Sequence, residues 1–227
     1  MPKEIVSAFV ILLSLLILPN MGVGYQTIQT TQQMIVIDPG HGGTDTGLIS
    51  SSGLKEKNIA LKLARKTGKL LEKRYNVLLT RNNDLHIPAR ERIFLANKNT
   101  ADLFLSIHLH RSNQPFVFCY YFDPPAPYPK LATANDSTWK SHPLLHQPGS
   151  KQVINSFFSI FSTHKKTHQF LSTGSPILLL EGLTMPAILI EPFCISTLPQ
   201  PPDEIDIILD EYAVLISKSI DHYFMGE

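Results

Sequence analysis

The segment Ile35-Val-Ile-Asp-Pro-Gly-His-Gly-Gly43 constrains the fold of this chain more than any other. β-Branched residues at 35–37 favour an extended strand, because their stiff side chains fit a pleated surface. The proline and the glycines that follow cannot continue it, and they predict a tight turn with one histidine, His41, at its tip. Glycines beside a polar residue let the backbone bend and let a ligand come close. A histidine placed there, just past a buried strand, is available for chemistry rather than for packing.

The pattern downstream alternates. Met34–Asp38 reads as a buried strand, and 39–55 as a Gly/Ser/Thr loop. From Glu56 to Arg74, Ile59, Leu63, Leu70 and Leu71 recur at helical spacing with lysines on the other face. Asn76–Thr80 is a second strand and Arg90–Asn97 a shorter helix, with Ile93, Phe94 and Ala96 as its apolar surface. Leu103–His108 and Phe116–Phe122 are further strands. Residues 123–150 are rich in Pro, Ser, Thr and His without a period and read as a loop excursion. A short helix is expected around Val153–Phe161, strands at Ile177–Leu180 and Ala187–Ile190, and a last helix from about Asp203 to Tyr223. Strands alternating with helices predict a single α/β domain, a mostly parallel twisted sheet with helices on both faces.

Composition sets the class. The 227 residues are 43% hydrophobic and 17% charged, enough for one globular core. A net charge of +1 without basic blocks argues against nucleic acid as a partner. The N-terminus differs from the rest. Lys3 precedes an apolar run from Ile5 to Leu18, closed by Pro19 and followed by Gly22 and Gly24. That run has the length of a signal-peptide core and is short for a membrane span. The expected organisation is a signal peptide over 1–24, a Gln/Thr-rich linker over 25–33 and one folded domain over 34–227, exported to the periplasm or the extracellular space. Cys119 and Cys194 are read as small buried hydrophobes rather than a disulfide.

His41, His108 and Glu191 each lie at the C-terminal end of an expected strand, the edge where open α/β sheets bind ligands. Glu56 opens the first long helix and can lean over the same edge. Two histidines and a carboxylate can hold zinc with one position open, and a further carboxylate can move protons. Other histidines carry weaker expectations. His110 would share a face with His108 if the strand continued, lining a cleft at best. His164 and His168 have helical i, i+4 spacing but lack the intervening glutamate of a zinc-protease helix, so a solvated helix face is expected. His86, His142 and His146 receive no role, and Arg81 and Arg92 are expected to be structural ion-pair partners.

Taken in order, Ile35–Gly43, Glu56, Leu-Leu-Thr-Arg (78–81), Arg92 with Ala96-Asn97, Ala-Asp-Leu-Phe-Leu-Ser-Ile-His (101–108) and Pro-Ala-Ile-Leu-Ile-Glu (186–191) resemble the zinc-dependent N-acetylmuramoyl-L-alanine amidases, peptidoglycan hydrolases of the cell envelope. The resemblance covers about residues 34–224. It implies that His41, Glu56 and His108 ligate Zn2+ and that Glu191 is the catalytic base; independently, the place of Asp38 just before the turn suits it to orient a ligand histidine. The resemblance also implies hydrolysis of the amide between N-acetylmuramic acid and L-alanine, peptidoglycan as the substrate, an activator protein as a further partner, and action as a monomer. The chain departs from the family after His108, where it reads Leu109-His110-Arg111-Ser112, and after Glu191, where it reads Pro192-Phe193-Cys194. Those departures keep two alternatives open: a zinc peptidase or deacylase on another peptide or N-acyl substrate, and a wall-binding relative without turnover.

Overall fold

The computed structural model describes residues 32–112, 114–125, 142–165 and 169–226. The expected signal peptide, the first part of the linker, the middle of the 123–150 excursion and His168 lie outside the described residues. The domain is a six-stranded sheet in the order β2-β1-β3-β6-β4-β5. Its strands are β1 (Met34–Pro39), β2 (Asn76–Leu79), β3 (Leu103–Ile107), β4 (Phe116–Phe122), β5 (Gln169–Ser175) and β6 (Ala187–Glu191). All neighbours pair in parallel except β4 with β6, which run antiparallel. The mostly parallel α/β architecture predicted from the alternation is therefore the one observed.

The core strands are buried on both faces, which is why they read as continuous apolar runs rather than alternating ones. Ile35, Val36, Ile37, Leu103, Phe104 and Leu105 are all fully buried. On one face, helices α1 (Glu56–Leu71), α3 (His142–Phe161) and α4 (Pro202–Met225) pack over Ile35, Ile37, Leu105, Ile188 and Ile190. On the other face, α2 (Ala89–Lys98) and the short 3-10 turn Leu178–Leu180 cover Val36, Phe104 and Leu189. Each fully buried side chain of this size contributes about 1.5–3 kcal/mol. The predicted face of α4 is the one used: Ile205, Leu209, Tyr212, Ile216 and Ile220 are buried and Ile208 partly so. Both cysteines are free and buried, as expected of small hydrophobes.

Four expectations are corrected. The excursion ends earlier than position 150, because α3 begins at His142 and carries Pro148 inside it. Packing overrides the local breakers there: Gly149 sits so close to Pro186 that a Cβ would come within 2.7 Å of its ring. Ser150 is buried, and its hydroxyl accepts the Ala187 N–H at 2.9 Å. Ile177–Leu180 forms a 3-10 turn instead of a strand, and Leu178 points outward at 65% exposure. Phe94 is 61% exposed and adds nothing to the core face of α2. Finally, β5 is an edge strand of polar sequence, QFLSTGS, with no periodic signal to announce it. His164 lies past the end of α3, where its Nε2 meets Glu211 at 2.8 Å, so it does not stand on the expected helix face.

Candidate metal centre

The C-terminal rims of β1, β3 and β6 lie side by side, and the loops leaving them build the site. Gly40 donates its N–H to the Ile107 carbonyl at 2.9 Å, and His108 donates its N–H to the Ile190 carbonyl at 2.9 Å. These bonds extend the sheet by one residue and fix where both histidines leave it. The turn then takes a sharp course. His41 itself has φ 60°, and Gly42, Gly43 and Gly47 also have positive φ. Two glycines are needed for space as well. A Cβ on Gly40 would stand 2.4 Å from the His108 ring, and one on Gly47 would stand 2.5 Å from the His41 ring.

Helix α1 starts without a side-chain cap, since Lys55 occupies the cap position. Backbone bonds from Glu56 N–H to Leu48 O (2.8 Å) and from Lys57 N–H to Thr46 O (3.2 Å) tie it to the loop instead. Lys57 adds a brace: its ammonium reaches Gly43 O at 2.7 Å and Asp84 at 2.6 Å. Glu56, 2% exposed, is thus delivered under the two histidines.

Three ligand atoms converge. His41 Nε2 and Glu56 Oε1 are 3.1 Å apart, His108 Nδ1 and Glu56 Oε1 are 3.1 Å apart, and the two imidazole nitrogens are 3.2 Å apart. Among the described residues, His41, Glu56 and His108 are the group of side chains able to hold a metal ion. Three such atoms pointing at one another crowd lone pairs unless protons or a cation lie between them. The surrounding bonds pre-set the protonation needed for ligation. Asp45 meets His41 Nδ1 at 2.8 Å, which selects the tautomer with a free Nε2 lone pair. Burial works against an ionised Glu56. Hydrogen bonds with His108 and His41 and the Leu48 N–H override it and hold the carboxyl well below the usual range. The N–H of Leu109 donates to the same carboxylate at 2.9 Å. For His41, burial opposes a charge, yet Glu56 and Asp45 prevail and raise its pKa.

Asp38 does not touch a histidine, so its expected orienting role is corrected. It is fully buried and accepts from Thr80 (2.5 Å), Arg92 (2.7 Å) and Ser106 (2.8 Å). Arg92 is the ion-pair partner expected, and it also donates to the carbonyls of Pro39 and His41. Arg81 is not held by a carboxylate in this way. Its guanidinium binds the carbonyls of Pro39, Gly40 and Lys57. The two arginines therefore grip the backbone of the histidine turn from below. Removing one partner of a buried pair such as Asp38–Arg92 costs about 3–5 kcal/mol, so the turn rests on a stiff support.

Glu191 ends β6, opposite Phe118 of β4. Tyr120 donates its hydroxyl to Glu191 Oε2 at 3.4 Å. Burial, then repulsion from Glu56, raises the Glu191 carboxyl from the usual 4.5 to about 7, against the hydrogen bond from Tyr120. His110 is not part of the cluster. β3 ends at Ile107, and His110 turns aside, buried, with Nε2 on the Phe116 carbonyl at 2.8 Å. A cavity of about 210 Å³ opens at the cage, lined by His41, Asp45 and His108 together with Pro88, Ala89 and Leu179. Gly40 belongs to the turn motif read from the sequence, whereas Asp45, Gly47 and Tyr120 carry no individual signal there; the Gly-rich composition of 39–55 is the one hint of Asp45 and Gly47.

The chain has known relatives. A model of the N-acetylmuramoyl-L-alanine amidase family matches residues 35–205. The N-acetylmuramoyl-L-alanine amidase AmiC of Neisseria meningitidis serogroup B is 46% identical over 83 residues, 36% of this chain and 20% of that protein's length. The endolysin of Bacillus phage SPP1 is 31% identical over 161 residues, 70% of this chain and 54% of that protein. Among solved structures, the N-acetylmuramoyl-L-alanine amidase AmiC2 of Nostoc punctiforme is similar with a TM-score of 0.63 and 25% identity, covering 85% of this chain and 97% of that one. The match over 35–205 spans the histidine turn, the start of α1, the end of β3 and the end of β6, so this chain belongs to the N-acetylmuramoyl-L-alanine amidase family.

Proposed function

We propose that this protein is a zinc-dependent peptidoglycan amidase that hydrolyses the amide between the lactyl group of N-acetylmuramic acid and the L-alanine of the stem peptide. The observation that carries the proposal is the convergence of His41 Nε2, His108 Nδ1 and Glu56 Oε1 within 3.1–3.2 Å of one another. A tetrahedral zinc with bonds of about 2.0–2.1 Å needs ligand atoms about 3.3–3.4 Å apart, so these donors fit with little movement. Two imidazoles and one carboxylate form the ligand set of a catalytic site that keeps one position open. When bound, zinc supplies a Lewis acid that polarises the scissile carbonyl and acidifies water.

The chain's own residues supply the rest. Glu191 takes a proton from the attacking water and returns it to the alanine nitrogen as the C–N bond breaks. An amine leaves readily where an amide anion does not, so this return is required. A carboxyl whose pKa lies near neutrality can do both, and the half-buried position of Glu191 is what moves it there. Asp45 keeps His41 facing inward, and the Asp38–Arg92 pair and Arg81 keep the turn from yielding. The expected site of action is the cell envelope, reached by export through the segment 1–24.

The decisive experiment is product identification on purified sacculi, with and without a chelator. Zinc-loaded protein is expected to release peptides that begin with a free L-alanine. A chelator is expected to stop the release, and added zinc to restore it. Peptides still carrying the lactyl group, or release that persists in chelator, would refute the proposal.

A further inference from the structure

We propose that Tyr120 is a positioning residue for Glu191, holding one carboxylate oxygen so that the other exchanges the proton. The inference rests on the assignment of Glu191 as the proton carrier. Glu191 is the last residue of its strand, and a glutamate there has three rotatable bonds to restrain. Among the described residues, its one hydrogen-bond donor is the Tyr120 hydroxyl, 3.4 Å from Oε2. The antiparallel register brings them together. Phe118 lies opposite Glu191 and Tyr120 opposite Leu189, so the side chains at 118, 120, 189 and 191 share one face of the sheet.

Tyr120 is itself well held. Its ring stacks on Phe118, with centroids 6.4 Å apart and planes at 16°. Phe118 in turn meets His110 edge-on at 5.0 Å, and His110 is anchored on the Phe116 carbonyl. Tyr120 also packs against the apolar cluster that contains Phe122 and Leu189. A tyrosine has few rotatable bonds, so a ring packed this way presents its hydroxyl from a fixed place.

The chemistry favours this arrangement in every state of the cycle. While Glu191 is ionised, Oε2 accepts from Tyr120 and Oε1 is left to take the proton. Once Oε1 is protonated, Oε2 remains an acceptor, so the tyrosine need not move when the proton leaves again for nitrogen. Burial and the neighbouring Glu191 push the Tyr120 hydroxyl up to about 12, so it remains a donor across the working range. A catalytic group must be held to within about 0.5 Å, and it needs a neighbour to hold it.

The test is a double-mutant cycle in the zinc-loaded protein acting on sacculi, with Tyr120→Phe, Glu191→Gln and both together. Tyr120→Phe is expected to lower kcat about tenfold, the scale of one hydrogen bond to a charged group, with KM and zinc content unchanged. In the Glu191→Gln background, the same change is expected to alter the residual rate less than twofold. An equal loss in both backgrounds would mean that Tyr120 acts independently of Glu191. A raised KM with kcat intact would make it a substrate contact. Either result overturns the inference, as does a wild-type rate for Tyr120→Phe. If Glu191→Gln alone keeps full activity, the proton-carrier assignment fails, and that is read without touching Tyr120. Should the phenylalanine variant melt early, 3-fluorotyrosine at 120 keeps ring and hydroxyl. Its stronger donor is expected to shift the acid limb of kcat to lower pH, and an unmoved limb would again overturn the inference.

Discussion

Glu56 and Glu191 are the same residue type on the same sheet rim, and the protein pushes them in opposite directions. Glu56 lies beneath two imidazoles and accepts two backbone N–H bonds, from Leu48 and Leu109. Those donors outweigh its burial and keep it ionised far below the ordinary range. Glu191 meets a single hydroxyl at 3.4 Å and feels the charge of Glu56, so burial prevails and its carboxyl rises to about 7. A carboxylate that resists protonation is suited to hold a cation, and one that titrates near neutrality is suited to carry a proton. The difference comes first from the two imidazoles and then from the local supply of backbone N–H groups. His108 and His41 bond to position 56 and the loop before α1 adds the Leu48 amide, whereas among the described residues position 191 meets the Tyr120 hydroxyl.

Exchanging each carboxyl for an amide is the severest trial of that contrast. Glu56→Gln removes a proposed ligand, and it is expected to abolish stoichiometric zinc binding and lower activity more than ~10³-fold. Glu191→Gln is expected to keep one zinc per chain while losing about 10²- to 10⁴-fold in kcat, the range of general acid–base catalysis. Metal analysis beside the rates separates the two roles. If Glu191→Gln also loses its zinc, or Glu56→Gln retains it, the division of labour is wrong.

A smaller effect is expected one bond further out. Asp45 touches the outer nitrogen of His41 at 2.8 Å and is half exposed, so it selects a tautomer and is not itself a ligand. Asp45→Asn can still meet that nitrogen but no longer favours one tautomer by charge. It is expected to weaken zinc binding about 10- to 100-fold in competition titrations, with kcat at saturating zinc falling less. Unchanged affinity would show that the turn alone orients His41.

The contrast also explains which parts of the molecule the sequence could disclose. The mostly apolar runs 35–37, 103–107 and 187–190 read as buried strands, and the four chemical residues fall at their ends or at a helix start. What was hidden depends on contacts distant in sequence. Asp38 looks like a partner for the next histidine, yet its oxygens are taken by Thr80, Arg92 and Ser106, which only the sheet order brings near. Pro148 and Gly149 look like helix breakers, and packing on Pro186 overrides them. Tyr120 is one aromatic residue among several in β4. Its role depends on an antiparallel pairing that neither strand's sequence encodes.

The mildest trial is pH. Proton transfer to Glu191 requires its ionised form, so activity is present above its pKa and lost as pH falls through it. Without a cation in the cage that pKa is about 7, set first by burial and then by Glu56. A bound dication offsets the Glu56 charge but leaves the burial in place. The acid limb of kcat/KM for the zinc-loaded enzyme is therefore expected between the ordinary 4.5 and about 7. The Glu56 carboxyl, held far lower, should contribute no step in that window. One inflection in this range, absent from the residual activity of Glu191→Gln, is the expected profile. An inflection at or below 4.5 would mean that burial does not govern Glu191, and the opposition between the two carboxylates would lose its physical basis.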